Sequence, residues 1–478
     1  MADRGGIRGW DWERLRRTAA LQNLDLEAFS PKVELGVTGL SRAGKTIFIA
    51  SLVHNLLHAE EAARKGNLTR LEAVRDGRYL GAVVRHDVRP EVPEFPHRAL
   101  IRAMTGAAPA WPERTSDVSR ISLEIRFKRA DTLVNRLRPA VGTLQLGITD
   151  YPGEWLLDLP MRSQGYEDWS RRTVERMRRP ERAALAAEWL ALAEATDPAA
   201  PAAEETAIRL HEVYTAYLKA CAAPPANLRF NQPGRFLMPG EFRGTPLLRF
   251  APLPLAEGAR PAPGSLHALF AERYRQYLAQ IVERFYDEHF RRLNRQVVLI
   301  DLLKAINDGE AAFDDMAEAL AVIVRHFDHG ENGLLSWLTG RRIDRVLFAA
   351  TKADHVSRND RIHLERLTER VVNRVDEGFA VRWSGARHAV LPIAALRCTT
   401  DRMRADTGRH VLIGRRPGDP EPLALEPGAV PPEYPPPWGE FAYRFWDFQL
   451  PPLAGAHAGF PNIGMSEALE YLIGDRLT

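Results

Sequence analysis

Cysteine is nearly absent from this sequence, with two residues, Cys221 and Cys398, among 478. Two thiols so far apart supply neither a disulfide framework nor the clustered ligands of a thiolate metal site. So little cysteine is typical of a reducing compartment, and we therefore expect a cytoplasmic protein.

Long apolar segments are also missing. No apolar run approaches the roughly 18 residues that a membrane-spanning helix needs, and the N-terminus has no apolar core like that of a signal peptide. Residues 1–30 instead form an arm in which Trp10, Trp12 and Leu15 stand among arginines. Such an arm can lie on an anionic membrane surface or pack against the body of the protein. Peripheral membrane association therefore stays open beside a purely cytoplasmic location.

A charge excess of one sign is missing as well. The chain has 65 basic and 62 acidic side chains, a net charge of +3, so its overall electrostatics do not predict a nucleic-acid partner. Lysine is rare, with seven residues against 58 arginines. Two of the seven, Lys45 and Lys352, lie in the motifs described next, which indicates that both positions require an ammonium group on a flexible stem.

The most informative feature that is present is a phosphate-binding loop. Residues 39–46 (GLSRAGKT) match the pattern G-x-x-x-x-G-K-[ST] between a predicted buried strand, 33–38, and a predicted helix, 47–57. In this context Lys45 reaches the outer phosphates of a nucleotide and the Thr46 hydroxyl binds Mg²⁺. Backbone N–H groups of the loop and of the helix start face the phosphates. These further contacts are expected from Gly39, Ser41, Arg42, Ala43, Gly44 and Ile47.

A second motif follows a predicted strand at 143–149. Residues 150–153 (DYPG) fit the pattern D-x-x-G, in which the Asp150 carboxylate holds Mg²⁺ through water and the Gly153 N–H senses the γ-phosphate. Glu154 comes next, at the position where Ras-like enzymes often keep a glutamine that orients the attacking water. A carboxylate can orient water too, but it adds negative charge beside the phosphates, so we expect slow hydrolysis.

A third motif determines which base the nucleotide carries. Residues 351–354 (TKAD) follow a predicted strand, 345–350, and fit [NT]-K-x-D, with Thr351 in place of the commoner asparagine. The Asp354 carboxylate can accept hydrogen bonds from N1–H and the 2-amino group of guanine, a donor pair that adenine lacks, while the Lys352 stem covers the base. The sequence therefore predicts GTP and GDP as ligands, with Mg²⁺ as the cofactor.

A weaker signal for guanine follows a predicted strand at 388–393. Ala394, Ala395 and Leu396 resemble the S-A-[KL] motif, whose backbone N–H meets the guanine carbonyl. The spacing behind Asp354, with one helix and one strand between, is what makes this tripeptide a candidate.

The site also requires a switch I threonine that closes on Mg²⁺ and precedes the strand before D-x-x-G. We assign this role to Thr115, with Ser116 and Ser119 as alternatives. All three lie just before a predicted strand at 121–127.

The order of strands and motifs predicts the fold. Short apolar strands that alternate with helices are typical of an α/β protein with a mainly parallel sheet covered on both faces. The motifs come in the order of a Ras-like P-loop NTPase, a three-layer sandwich. Helical periods at 167–195, 204–222 and 266–294 predict a helical insertion domain within it.

We expect five regions along the chain. They are an N-terminal arm (1–30), a first part of the GTPase domain (31–153), a helical insertion (154–295), a second part of the GTPase domain (296–400) and a proline-rich C-terminal segment whose terminal helix packs on that domain (401–478).

Several segments together resemble the YcjX-like stress-protein family. They are residues 36–46 (GVTGLSRAGKT), 150–155 (DYPGEW), 351–354 (TKAD), 392–397 (PIAALR) and 466–475 (SEALEYLIGD). The resemblance implies a Ras-like GTPase domain with a helical insertion and Mg²⁺-dependent binding of GTP and GDP. It also implies a link to bacterial envelope stress beside a membrane-protein partner.

Arg42 has a resemblance of its own. The string GLSRAGKT is similar to the phosphate-binding loop of guanylate-binding proteins and atlastins, which implies that Arg42 acts as an internal arginine finger together with Lys45. The alternative is that Arg42 faces solvent or pairs with a carboxylate of the insertion.

Three functions fit these residues. The leading interpretation is a GTP-hydrolysing molecular switch. The second is a nucleotide-gated scaffold with negligible turnover that presents its insertion to a membrane partner, and the third is an ATPase. The sequence leaves the oligomeric state open.

Overall fold

The computed structural model describes most of the chain after the N-terminal arm. It covers residues 31–478 except 41, 87–91, 108, 113–116, 133–134, 136–137, 257, 261, 329–342, 378–386, 440–442, 454 and 456–458. The arm, Ser41, Thr115 and Ser116 therefore lie outside the described residues. Among the described helices, none combines the length and the hydropathy that a bilayer-spanning segment needs.

Seven strands form the central sheet. They are β1 (Lys32–Gly39), β2 (Tyr79–Arg85), β3 (Ser119–Lys128), β4 (Val141–Asp150), β5 (Arg295–Ile300), β6 (Arg345–Ala350) and β7 (Arg387–Pro392), in the spatial order β2-β3-β4-β1-β5-β6-β7. From β4 to β7 all neighbours are parallel, whereas β3 pairs antiparallel with β4 and β2. The prediction of a mainly parallel sheet is confirmed.

Both faces of the sheet are covered, as parallel sheets require. Alternate residues of β5 show this directly, because Val297 and Leu299 enter one apolar core while Val298 and Ile300 enter the other. The helices Lys45–Leu57 and Met465–Ile473 pack on the first face; Glu310–Asp328 and Arg361–Glu377 pack on the second. These three layers form the Ras-like α/β fold that the motif order predicted.

The sequence missed β2. This edge strand lies within 57–118, a segment whose arginines and prolines gave no clear strand period, and its residues are mostly half-buried or exposed. A bulge at Gly81, whose φ is +140°, further interrupts the alternation of buried and exposed residues along the strand. The same segment contains three short helices, Ala59–Arg64, Glu72–Arg75 and His97–Thr105.

Residues 166–292, called the helical region below, lie between β4 and β5. Their α-helices are Tyr166–Met177, Pro180–Glu194, Glu204–Ala222, Gly234–Leu237, Leu266–Tyr277 and Glu283–Glu288. The period predicted at 167–195 divides into two helices because Pro180 begins a new one. The expected domain boundaries at 154 and 295 stay a prediction, since these helices share one apolar core with the second face of the sheet.

Aromatic rings and ion pairs hold the helical region together and against the sheet layer. Trp169 meets Phe250 edge-on with ring centroids 5.6 Å apart, in a core where such pairs recur. Arg182 of this region pairs at 2.5 Å with Asp315 of the helix Glu310–Asp328, and their side chains are 1% and 3% exposed. Removing one partner of such a buried pair leaves an uncompensated charge, so the pair fixes how the two parts meet.

The C-terminal segment has more structure than its prolines indicated. It forms a three-stranded antiparallel sheet of β8 (Thr400–Met403), β9 (His410–Gly414) and β10 (Leu423–Leu425). The predicted terminal helix is present at Met465–Ile473. Just beyond it, Asp475 pairs at 3.0 Å with Arg295 of β5, which ties the C-terminus to the sheet.

One ion pair inside the sheet yields a stability prediction. Glu34 of β1 is paired at 2.6 Å with the buried Arg120 of β3 and at 3.0 Å with Lys32, whose side chain is 53% exposed. We expect Arg120→Ala to lower the free energy of unfolding by about 3–5 kcal/mol, because it leaves the buried Glu34 carboxylate with only the solvent-exposed Lys32 as an ion-pair partner. Lys32→Ala, which removes a solvated partner of the same carboxylate, is expected to cost less than about 1 kcal/mol. Urea unfolding followed by circular dichroism measures both; equal losses would contradict the assignment.

Candidate functional site

The predicted phosphate loop joins the end of β1 to the helix that begins at Lys45. Its turn is closed by the Ala43 N–H, which donates to the Leu40 carbonyl at 3.0 Å. Gly44 has φ +87°, a conformation that favours glycine, and Arg42 adopts φ +69° without being glycine. The loop therefore leads into the helix N-terminus, where backbone N–H groups lack intrahelical partners.

Lys45 folds back over this loop. Its Nζ donates to the Gly39 carbonyl at 3.1 Å, and the neighbouring Thr46 is half-buried in the first helical turn. Asp150 is the last residue of β4, is 0% exposed and lies opposite Val37 in the parallel register. Register thus brings the first residue of D-x-x-G to the start of the phosphate loop.

Gly153 touches the phosphate loop directly. A Cβ at this position would lie 2.5 Å from the Gly39 carbonyl oxygen and 3.1 Å from the Leu40 nitrogen. There is no space for a side chain, so the second motif and the first pack as one unit.

Glu154 is less accessible than its expected role indicated. It is 7% exposed, and its backbone packs against Gly234 of the helical region, where a Cβ would lie 2.6 Å from the Glu154 carbonyl carbon. The residue expected to orient water therefore lies at the boundary between the phosphate loop and the helical region.

The base-recognition loop follows β6 and is anchored to β5. The Thr351 N–H and hydroxyl donate to the Ile300 carbonyl at 2.9 and 3.2 Å, so threonine supplies the tether that asparagine commonly provides. Lys352 adopts φ +61° and its Nζ lies 2.9 Å from Asp301 and 3.2 Å from Asp447. Burial alone would lower the pKa of Lys352, but the two carboxylates outweigh it and raise the pKa, so the ammonium stays charged.

Asp354 is buried at 2% exposure beside the loop that follows β7. Its Oδ2 accepts from the Cys398 N–H at 2.6 Å, and its backbone carbonyl accepts from the Thr399 hydroxyl. The carbonyl of Ala395 accepts from Ser51 of the first helix at 2.5 Å. These bonds fix the two base-side loops relative to the phosphate loop.

One cleft contains residues from three of the predicted motifs. Its empty volume, counting the part open to solvent, is about 980 Å³, at the upper end of the range for ligand pockets. The predicted residues that line it are Arg42, Ala43, Gly44, Ile47, Thr351, Lys352, Asp354, Ala394, Ala395 and Leu396. Gly39, Lys45 and Thr46 of the phosphate loop do not line this cleft, and neither do Asp150, Gly153 and Glu154 beside the loop.

Nine further residues line the cleft without having been predicted as site residues. Five of them lie on a central strand or next to a motif: Phe48, Leu299, His355, Ile393 and Cys398. The other four come from segments outside the motifs: Trp111, Pro417, Asp447 and Phe448. Trp111 is 42% exposed. In the sequence, the feature that could have marked Trp111 as a ligand contact is a large aromatic residue next to a proline in a predicted loop. Phe448 packs edge-on against His355 with centroids 4.9 Å apart, which brings the C-terminal segment to the base side.

Arg42 is exposed and reaches the cleft. Among the described residues, no carboxylate lies within 4.0 Å of its guanidinium, so the ion pair with the insertion that was one alternative is not formed there.

Comparison with known protein sequences shows which family this chain resembles. The model of the family described as "YcjX-like family, DUF463" matches residues 33–477. A protein of Escherichia coli K12 named "Ras-like GTPase YcjX" is 36% identical over 457 residues, which cover 93% of this chain and 96% of that protein. A protein of the same name from Shewanella oneidensis MR-1 is 34% identical over 473 residues, covering 93% and 94%.

The contact at Gly153 yields a prediction about ligand binding. We expect Gly153→Ala to push the phosphate loop away and to weaken binding of a fluorescent guanine nucleotide by about 5- to 150-fold, because overpacking costs about 1–3 kcal/mol. Gly165→Ala is the matched control, since a Cβ there meets open space and its φ is −71°. Unchanged affinity in Gly153→Ala would show that the two motifs do not pack as a unit.

Proposed function

The chain belongs to the YcjX-like family, and we propose that it is a GTPase that binds GTP with Mg²⁺ and hydrolyses it to GDP and phosphate. The observation that carries the proposal is the single cleft shared by the phosphate loop, the Lys352 and Asp354 loop, and the Ala394 to Leu396 loop. The names of the two relatives support the same reaction.

Guanine is the base that suits this cleft. Asp354 offers a buried carboxylate, which can accept both donors on the Watson–Crick edge of guanine. The Ala395 loop adds backbone N–H groups for the guanine carbonyl, and Lys352, held by Asp301, covers the base. With adenine in the cleft, the Asp354 carboxylate would face the ring nitrogen N1, which is itself a hydrogen-bond acceptor. This disfavours the ATPase alternative.

The oxygen donors beside the phosphate loop fit Mg²⁺. The Thr46 hydroxyl and the buried Asp150 carboxylate are hard oxygen ligands of the kind that Mg²⁺ prefers, with Thr115 as the third proposed group. When bound, Mg²⁺ supplies positive charge to the β- and γ-phosphate oxygens.

Hydrolysis needs positive charge and an oriented water. Water attacks the γ-phosphorus, the bond to the β–γ bridging oxygen breaks, and that oxygen leaves as part of GDP. Lys45, Arg42 and the loop amides stabilise the charge that develops on the phosphates. Glu154 orients the water, and its carboxylate, added to the phosphate charge, makes turnover slow.

A scaffold with negligible turnover is the second candidate, and the burial of Glu154 against Gly234 favours it. In that case the nucleotide governs how the helical region meets a membrane-protein partner in envelope stress, from the cytoplasm or a membrane surface. Phosphate release by the purified protein, with Mg²⁺ and with a chelator, distinguishes the two. Mg²⁺-dependent release supports the enzyme; tight binding without release supports the scaffold.

Base specificity can be tested at Asp354. We expect Asp354→Asn to weaken GDP binding by about 100-fold, because an amide cannot accept both guanine donors. Affinity for xanthosine diphosphate should rise, since its C2 carbonyl accepts from the new amide. The control is Asp401→Asn, which alters a nearby carboxylate that pairs with His410 and does not line the cleft. Competition binding measures all three; tighter binding of ADP than of GDP in the wild type would contradict guanine recognition.

The catalytic role of Arg42 can be tested separately. We expect Arg42→Ala to lower single-turnover hydrolysis of GTP by at least about 100-fold, as for other arginine fingers, while GDP affinity changes by less than about threefold. Arg64→Ala is the matched control, because Arg64 is an exposed arginine at the end of the helix Ala59–Arg64 and does not line the cleft. A loss of turnover below threefold would exclude an arginine finger at this position.

A further inference from the structure

Arg229 of the helical region lies beside the phosphate loop, and none of the motifs accounts for it. Together with Asn227 it lines a cavity that also contains Leu40 and Ala43 of the phosphate loop. The charged side chains of Asp301, Lys304 and Asp308 line the same cavity. Asn227 has φ +49°, an uncommon conformation for a residue other than glycine. A segment about 190 residues away in sequence is thus held in an unusual conformation against the phosphate loop.

The backbone at Arg229 is fixed by the buried ion pair of Asp315 and Arg182. One oxygen of the Asp315 carboxylate accepts from the N–H groups of Arg229 and Phe230, the latter at 2.7 Å. The other oxygen pairs with Arg182, which also donates to the Phe230 carbonyl at 2.8 Å. Charged hydrogen bonds of this kind are strong, so the position of Arg229 relative to the helix Glu310–Asp328 is set.

The Arg229 side chain has no close ion pair among the described residues, where no carboxylate lies within 4.0 Å of its guanidinium. Burial lowers its pKa, Asp308, Asp301 and Glu154 act against that, and Arg42 lowers it further. These carboxylates act from beyond ion-pair distance, so the half-buried guanidinium can still gain by direct hydrogen bonds to an anion.

Two arginines from different parts of the chain therefore lie beside the phosphate loop, because Ala43 lines the cleft together with Arg42 and the cavity together with Arg229. Arg42 comes from the loop itself, and Arg229 comes from the helical region next to Glu154, which follows D-x-x-G. In Ras-like proteins the residues after D-x-x-G lie on the γ-phosphate side of the nucleotide. A planar guanidinium is suited to two hydrogen bonds with phosphate oxygens.

We propose that Arg229 binds the terminal phosphate of GTP, so that the helical region contacts the triphosphate and not the diphosphate. The proposal rests on the proposed function, because it requires a guanine nucleotide in the cleft. It makes Arg229 a residue through which the helical region distinguishes GTP from GDP, with Asp315 and Arg182 as positioning residues.

The test compares a triphosphate with a diphosphate. We expect Arg229→Ala to weaken binding of the non-hydrolysable analogue GMPPNP by about 10- to 100-fold while GDP affinity stays within threefold, both measured by calorimetry with Mg²⁺. Retained GDP binding shows that the variant is folded. If Arg229 had only a structural role, its removal would weaken binding of GDP and GMPPNP alike. Arg243→Ala, an exposed arginine of the same region, is the matched control and should change neither affinity.

Each outcome decides the proposal. The proposal for Arg229 is overturned if Arg229→Ala changes the ratio of GMPPNP to GDP affinity by less than threefold. That outcome leaves the GTPase proposal intact. A wild type that binds neither nucleotide overturns both. If Arg229→Ala loses GDP binding as well, Arg229→Lys decides, because it keeps the charge and the stem but not the paired donors. A tenfold loss confined to GMPPNP then supports the proposal, and no such loss overturns it.

Discussion

Parallel pairing around β1 is the constraint on which the candidate site depends. In this register Val37 lies opposite Asp150, Gly39 opposite Leu299, and Ala350 opposite both Ile300 and Pro392. All of these strands therefore end along one edge of the sheet, and the loops that follow them meet there. A shift of one residue in any pairing would turn side chains to the opposite face and separate the motifs.

Backbone strain is concentrated at the same edge. Among the described residues other than glycine, Arg42, Asn227 and Lys352 adopt positive φ, and all three lie at or beside the candidate site. Such conformations cost about 1–3 kcal/mol each and persist where surrounding contacts determine them. At Lys352 the contacts are the bonds from Thr351 to Ile300 and the pairing with Asp301. The loops are thus set in place by the fold before any ligand arrives.

Local patterns in the sequence predicted most of the sheet and the motif loops, because strand periods and glycine-lysine spacing are properties of neighbouring residues. They missed β2, an edge strand with a bulge, and they did not assign Trp111, Asp447 or Phe448 to the cleft. These residues reach it through contacts between segments far apart in sequence, which no local pattern records. Arg229 belongs to the same class, since its place follows from Asp315, 86 residues further along the chain. The Mg²⁺ role of Thr115 stays a prediction.

The contacts of Lys352 indicate how the C-terminal segment is coupled to the base side. Lys352 pairs with Asp301, whose side chain is 8% exposed, and with Asp447, whose side chain is 65% exposed. The solvated pair contributes less than the buried one, because water screens it and the side chains lose entropy. Phe448, which is 4% exposed and packs against His355, is therefore a stronger anchor of the C-terminal segment at the cleft than the solvated ion pair. Phe448 also lines the cleft, so a base that enters the cleft contacts the same ring that anchors the C-terminal segment. Binding of the base and the position of the C-terminal segment are therefore coupled through Phe448.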